Sequence, residues 1–265
     1  MLAGMSTPGL LTGARAALRG FALLNTPGLR RYVAVPLTIN LALFGSALWF
    51  GARAVWDWSL TLPQQAADAL PGWLTWLATP LQWLGWLLLP LFLLSELVLM
   101  YYSFTLLANL IGAPFNSLMA LRLETRLTDT VPAAAARPWW LEALRALRAE
   151  TRKLLYFLLH AIPLGLLFLV PVLNLAAAPL WLLFSAWMLG LEYLDYPMGN
   201  HGILFHEQRT HLRGHRRMVL GFGLLLTAAS LVPVLNFFVM PAGVAGATAL
   251  WAERLRPEAA RPAAP

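Results

Sequence analysis

The chain has 265 residues, of which 59% are hydrophobic and only 12% charged, with twelve tryptophans among them; average soluble domains are about 25% charged, so an ordinary water-soluble fold is excluded and an integral membrane protein is expected. The net charge of +7 comes from nineteen basic residues, of which Lys153 is the single lysine. They fall in short segments between apolar runs rather than on one soluble face, so no nucleic-acid partner is expected, and the absence of cysteine removes disulfides, thiolate metal sites and thiol catalysis.

Residues 1–20 contain Arg15 and Arg19 but no compact apolar core before a cleavage site, so no removable signal peptide is expected. Residues 14–25 read as an amphipathic helix at the membrane interface, with Arg15 and Arg19 four apart on one face. Directly ahead of the uncharged run 32–52 stands Asn25-Thr26-Pro27-Gly28-Leu29-Arg30-Arg31. Thr26 suits an N-cap and Pro27 the first helical position, which would leave the Gly28 and Leu29 amides free at a helix mouth that favours anions. Arg30 and Arg31 add forked donors suited to an oxyanion such as sulfate or phosphate. The same arginines equally suit a cytoplasmic anchor for the helix that follows. Within 32–52, a transmembrane helix, Asn40 is the one amide, placed either for a helix-to-helix hydrogen bond or on a polar path.

Residues 53–80 read as an external loop, with Trp56, Trp58, Trp73 and Trp76 at headgroup level among Asp57, Asp68 and several prolines. From 81 to 121 the chain is apolar apart from Glu96 and Ala113-Pro114-Phe115-Asn116. That length exceeds the roughly 20 residues of one crossing, so a transmembrane helix over 81–112 is expected to break at Pro114 before a second helix begins near Asn116. Glu96, in mid-membrane, requires an arginine partner or a wet cavity. Residues 122–153 hold seven of the basic residues around a Pro/Ala-rich linker at 131–138. They form a cytoplasmic or interfacial segment whose second part, from Trp139 onward, leans on the membrane.

The second half repeats itself. Val170-Pro171-Val172-Leu173-Asn174 recurs as Val232-Pro233-Val234-Leu235-Asn236, with Pro179 and Pro241 at the same offset. The apolar arms before these turns, 154–169 and 218–231, reach roughly 21 to 24 Å at about 1.5 Å per residue, short of a hydrocarbon core of about 30 Å. Basic residues on both flanks of each copy ask for the same side. Residues 154–191 and 218–252 are therefore expected to be two helical hairpins, re-entrant in preference to thinly spanning. In a re-entrant hairpin Asn174 and Asn236 would line a path or pack together. The intervening segment, 192–217, is a basic loop holding His201, His206, His211 and His215, together with Glu192 and Asp195, which suit pairing with arginines. His206-Glu207 would need its second histidine at 210 to match a zinc-protease helix, and His211 is one residue too far, so no metal site is expected. Residues 254–265 read as a disordered tail after a single membrane domain over 1–253. No phosphate-binding Gly-rich loop is present, so neither an ATP-driven enzyme nor a cofactor is expected.

Several stretches together resemble the CysZ family of bacterial sulfate permeases: Thr26 to Arg31, Ala108-Asn109 with Ala113 to Asn116, Glu124 to Leu127, Phe184-Ser185-Ala186-Trp187-Met188, and Asp195-Tyr196-Pro197 with Asn200-His201. The resemblance covers about residues 14 to 253. It implies an all-α, multi-pass inner-membrane protein with two long crossing helices and two partly penetrating hairpins. It further implies an oligomer of identical chains, embedded in lipid, that imports sulfate for cysteine synthesis. The family's sulfate-binding motif maps onto Gly28, Leu29, Arg30 and Arg31. Asn40, Glu96, Asn109, Asn116, Asn174, Asn236, Glu192, Asp195 and His201 remain candidates for a pore or polar network. Two departures are Asp129, where the family has glycine, and the alanine-rich linker. A membrane scaffold that transports nothing is the alternative from another class.

Overall fold

The computed structural model describes residues 9–130 and 139–257, with the side chains of 59–60, 62–63, 81–82, 84–85, 87–88, 100–110 and 139–147 outside the description. Among the described residues the secondary structure is helical throughout, with no strand: α1 (Leu10–Leu23), α2 (Arg30–Asp68), a 3-10 turn (Gly72–Leu77), α3 (Ala78–Thr128), α4 (Trp139–Leu167), α5 (Asn174–Asn200), α6 (Phe205–Arg213), α7 (Arg216–Ser230), α8 (Pro233–Leu250) and a π-helical turn (Trp251–Leu255). Among the described residues three helical stretches are long and apolar enough to cross a bilayer: Arg30–Trp58, Asn174–Asn200 and Pro233–Leu255. The all-α membrane class expected from composition is what the chain adopts.

The chain divides into two compact units, Met1–Val33 with Phe115–Pro265, and Ala34–Pro114. The second unit contains most of α2 and the first part of α3. Here the helices run further than the sequence pattern suggests. The segment 53–80 stays helical to Asp68 instead of opening as a loop after Ala52; Thr61 caps its own turn by donating to the Asp57 carbonyl at 2.9 Å. Likewise α3 passes through Pro90 and Pro114 without ending. Each proline removes one internal hydrogen bond, a loss that a helix surrounded by hydrocarbon tolerates because unwinding would expose many more backbone groups.

The first unit is built around α1, α5, α7 and α8. Rather than lying flat at an interface, α1 packs into this core through Gly13, Ala17 and Gly20, all buried on one stripe. At Gly13 the backbone of α7 arrives at the Met218 carbonyl, and at Gly20 that of α8 arrives at the Ala242 carbonyl. Gly221 meets Leu10 and Gly246 meets Ala16 in the same way. Small residues thus let three backbones touch, as in membrane helix pairs. Replacing Gly20 with valine should undock α1, costing about 1–3 kcal/mol or more through overpacking. Gly165→Ala, at a helical glycine with open space around it, should be neutral or slightly stabilising. Thermal unfolding of the two variants in detergent checks the contrast.

The first repeat copy lies at the turn between α4 and α5, whereas the second runs from the N-cap of α8 into its first turn, so their backbones differ. In the first, Val170 to Leu173 form the turn, Val172 sits at φ +72°, and α5 starts at Asn174. A β-branched residue at positive φ is strained. In the second, α8 starts directly on Pro233, the position where a missing amide hydrogen costs nothing. The turns are apolar and uncovered: Leu169, Val172, Leu175, Leu231, Val234 and Phe237 are all about 70–80% exposed, as suits segments solvated by lipid. The segment 192–217 is helical for most of its length rather than a loop, since α5 continues to Asn200 and α6 follows. Arg254 and Leu255, expected in a disordered tail, belong to the π-helical turn.

Candidate functional site

The segment before α2 is a tight turn rather than a helix start at Pro27. The Leu23 carbonyl accepts from the Thr26 amide at 3.0 Å, the Thr26 carbonyl from Leu29 at 3.1 Å, and the Leu29 carbonyl from Tyr32 at 2.9 Å. Gly28 makes this possible at φ +86°, a conformation glycine adopts without the penalty a Cβ imposes. Helix α2 consequently opens at Arg30. The Leu29 amide, expected to be free, is spent on Thr26, and the Leu29 side chain is fully buried as an anchor. Among the described residues the amides of Gly28, Arg30 and Arg31 have no hydrogen-bond acceptor. The helix mouth therefore sits three residues later than Thr26-Pro27 suggests, and its free donors belong mainly to the arginines themselves.

Both guanidinium groups are exposed and oriented by neighbours on the same turn. Arg30 donates from Nη2 to Asn25 Oδ1 at 2.9 Å and from Nε to the Asn25 carbonyl at 3.2 Å. Arg31 donates from Nη2 to the Tyr32 hydroxyl at 3.1 Å, with its guanidinium 4.9 Å from the Tyr32 ring centroid. A third arginine, Arg126 near the end of α3, donates from Nη1 to the Pro27 carbonyl at 2.7 Å. Among the described residues none of the three has a carboxylate within ion-pair reach. Uncompensated guanidinium charge beside free amides is the chemistry that holds an oxyanion. Arg126 escapes a reading of the sequence because it stands ninety-nine residues from Pro27; the nearest signal is the charge cluster Arg122, Glu124, Arg126 closing a long apolar run.

A second polar assembly in the same unit lies in the core. Glu124 is completely buried, and its Oε1 accepts from His201 Nε2 at 2.7 Å and from Trp251 Nε1 at 3.2 Å, with Arg256 Nη1 at 3.9 Å. Arg256 also donates to Thr130 Oγ1 at 3.2 Å. The π-helical turn supplies Trp251 to this group, a role such turns often fill at specialised sites. Of the residues singled out in the sequence, His201 joins this group, and Asn116 is buried nearby along α3. The end of α5 is tied to α3 by Ser117 Oγ, which donates to Asn200 Oδ1 at 2.8 Å.

Glu192 and Asp195 find not an arginine but the lone lysine. Lys153 ion-pairs with Asp195, with Glu150 at 2.9 Å and with Glu192 at 3.6 Å, its side chain 9% exposed. Burial alone would lower its pKa. The Asp195 and Glu192 carboxylates outweigh burial and hold it above the ordinary lysine range, so the ammonium stays charged. Gln208 of α6 adds a hydrogen bond to Asp195 at 2.7 Å, closing a structural joint among α4, α5 and α6. His211 bonds through Nε2 to the Leu255 carbonyl at 2.7 Å.

The other candidates stand apart from both groups. Asn174 and Asn236 are exposed on the first turns of α5 and α8, where their amides donate to Val170 and Val232. In the second unit, Glu96 presses its carboxylate over Gly51, and its Oε1, like Asn40 Oδ1, is buried with no partner among the described residues. Asn109 lies in α3 on the stretch whose side chains are outside the description.

Comparison with known proteins identifies the family. A family profile described as Sulfate transporter CysZ/Etoposide-induced protein 2.4 matches residues 16–241, a span that contains the 25–32 turn, Arg126 and Glu124. The Sulfate transporter CysZ of Pectobacterium atrosepticum is 40% identical over 247 residues, covering 92% of this chain and 86% of that protein. With the family profile spanning most of the chain and this identity extending along nearly all of it, the protein belongs to the sulfate transporter CysZ/etoposide-induced protein 2.4 family.

Proposed function

We propose that the protein is a sulfate permease of the bacterial inner membrane, a multi-pass homo-oligomer that imports sulfate for cysteine biosynthesis. The observation that carries this reading is the 40% identity, over nearly the whole chain, to a protein named Sulfate transporter CysZ. The helix start at Arg30 supports it, with three amides free of acceptors and two guanidinium groups without carboxylate partners among the described residues. Sulfate is held there by Arg30, Arg31 and the Gly28 amide, while Leu29 fixes the turn by burying its side chain. Removing a dianion from water is costly, and charge-assisted hydrogen bonds replace its hydration shell. Anchoring the helix on its cytoplasmic side is a second task the same arginines perform.

The test is uptake of labelled sulfate by liposomes that contain the purified protein. Flux above that of empty vesicles, reduced by excess unlabelled sulfate, is expected. Vesicles no more permeable than protein-free controls would rule the proposal out in favour of a non-transporting scaffold.

A further inference from the structure

Arg126 has a place in the fold that neither helix packing nor charge compensation explains. It stands exposed near the C-terminal end of α3, and among the described residues its hydrogen-bond acceptor is the Pro27 carbonyl, at 2.7 Å from Nη1. Its second terminal nitrogen lies against Gly28: a Cβ built there would come 2.8 Å from Nη2 and 3.7 Å from Cζ. The guanidinium therefore covers the face of the one residue whose positive φ shapes the turn, and Gly28 is required both by its backbone angle and by the arginine lying on it. One donor is committed to Pro27. The remaining donors of a planar fork stay beside the Gly28 amide, two residues from Arg30, with no carboxylate to neutralise them among the described residues.

We infer that Arg126 is the third arginine of the oxyanion site. It acts as a positioning residue, holding the Pro27 carbonyl so that the turn presents the Gly28 amide. It also acts as a binding residue, adding a third forked cation that favours doubly charged oxyanions over singly charged ones. This rests on the sulfate site proposed at Gly28, Arg30 and Arg31.

The experiment measures equilibrium binding of labelled sulfate to the full-length protein in detergent, with competition by a divalent oxyanion (thiosulfate) and a monovalent one (methanesulfonate). It compares the wild type, R126Q, R126K and the double variant R30A/R31A. R126Q is expected to weaken sulfate binding about tenfold, as loss of one charge-assisted contact implies, and to weaken thiosulfate far more than methanesulfonate. R126K, which keeps the charge but not the fork, is expected to restore the preference for divalent anions with only part of the affinity. If R126Q is too unstable to purify, R126K alone decides: sulfate affinity equal to wild type overturns the role of the fork. Equal losses for both competitors in R126Q reduce Arg126 to a structural brace and overturn its role in binding. Wild-type affinity in R126Q with binding strongly weakened in R30A/R31A overturns the third arginine alone, whereas wild-type affinity in R30A/R31A overturns the underlying site.

Discussion

Sulfate affinity is expected to fall about a hundredfold when Arg30 and Arg31 are both changed to alanine. Each guanidinium supplies charge-assisted hydrogen bonds worth about 1.5–3 kcal/mol, and about 2.7 kcal/mol corresponds to a hundredfold in affinity. Exposure of both side chains keeps the estimate at the lower end of that range. The free amides of the turn survive the substitution, so residual weak binding is expected rather than none. Arg30→Lys/Arg31→Lys separates binding from topology. It preserves the positive charge that orients the helix but not the planar fork, so the protein should insert and fold normally while binding sulfate about tenfold more weakly. Equilibrium binding in detergent, with a protease-protection assay of orientation in membranes, reads the two effects apart. Unaltered sulfate affinity in the alanine variant would remove the helix start from the binding site.

The second large effect is expected at Glu124, where stability rather than ligand binding is at stake. Replacing it with alanine deletes the common acceptor of His201 and Trp251 and opens a void in a fully buried position. Arg256, at 3.9 Å, also loses its nearby countercharge. Breaking a buried charged pair by removing one partner costs about 3–5 kcal/mol, enough to endanger a fold whose total stability is of order 5–15 kcal/mol. Glu124→Gln keeps the shape and one carbonyl acceptor, so its loss should be nearer 1–2 kcal/mol. Thermal unfolding of purified variants tests the order, wild type above glutamine above alanine. Equal transition temperatures for wild type and alanine would mean that the buried carboxylate does not hold α3 to α5 and the π-helical turn.

Glu124 and the 25–31 turn show how differently the two groups could be read from the chain. The turn is contiguous: threonine, proline, glycine and two arginines ahead of an apolar run state their chemistry within seven residues. Even so, the sequence placed the helix start at Pro27, because an N-cap threonine followed by proline is the usual signature. It could not register that Leu29 would be drawn into the core, which pulls its amide back to Thr26 and transfers the free donors to Arg30 and Arg31. The buried group draws on residues 124, 201, 251 and 256, brought together only by packing. Its advance signals were His201, a candidate for a polar network, and a carboxylate in a short charged cluster, indistinguishable in sequence from a solvated helix end.

Chain-wide properties divide along the same line. Composition by itself determined a membrane protein, since so few charged residues cannot cover the surface of a soluble fold, and the length of the apolar runs made it helical. The repeated Val-Pro-Val-Leu-Asn falls where α5 and α8 begin, as the turn before α5 in one copy and as the first turn of α8 in the other. Local propensity failed where the surroundings outweighed it: helices that pattern breaks at 53 and at Pro114 continue through both points, because unpaired backbone groups cost more in hydrocarbon than a proline does in a helix. Tertiary structure alone decided that α1 is a core helix, its glycines being legible as small residues but not as the sites where two other backbones arrive. It also decided that Glu192 and Asp195 share the only lysine and that Arg126 closes over Gly28. Periodicity and capping are local and survive in sequence; close approach and charge pairing depend on which distant segments the core brings together.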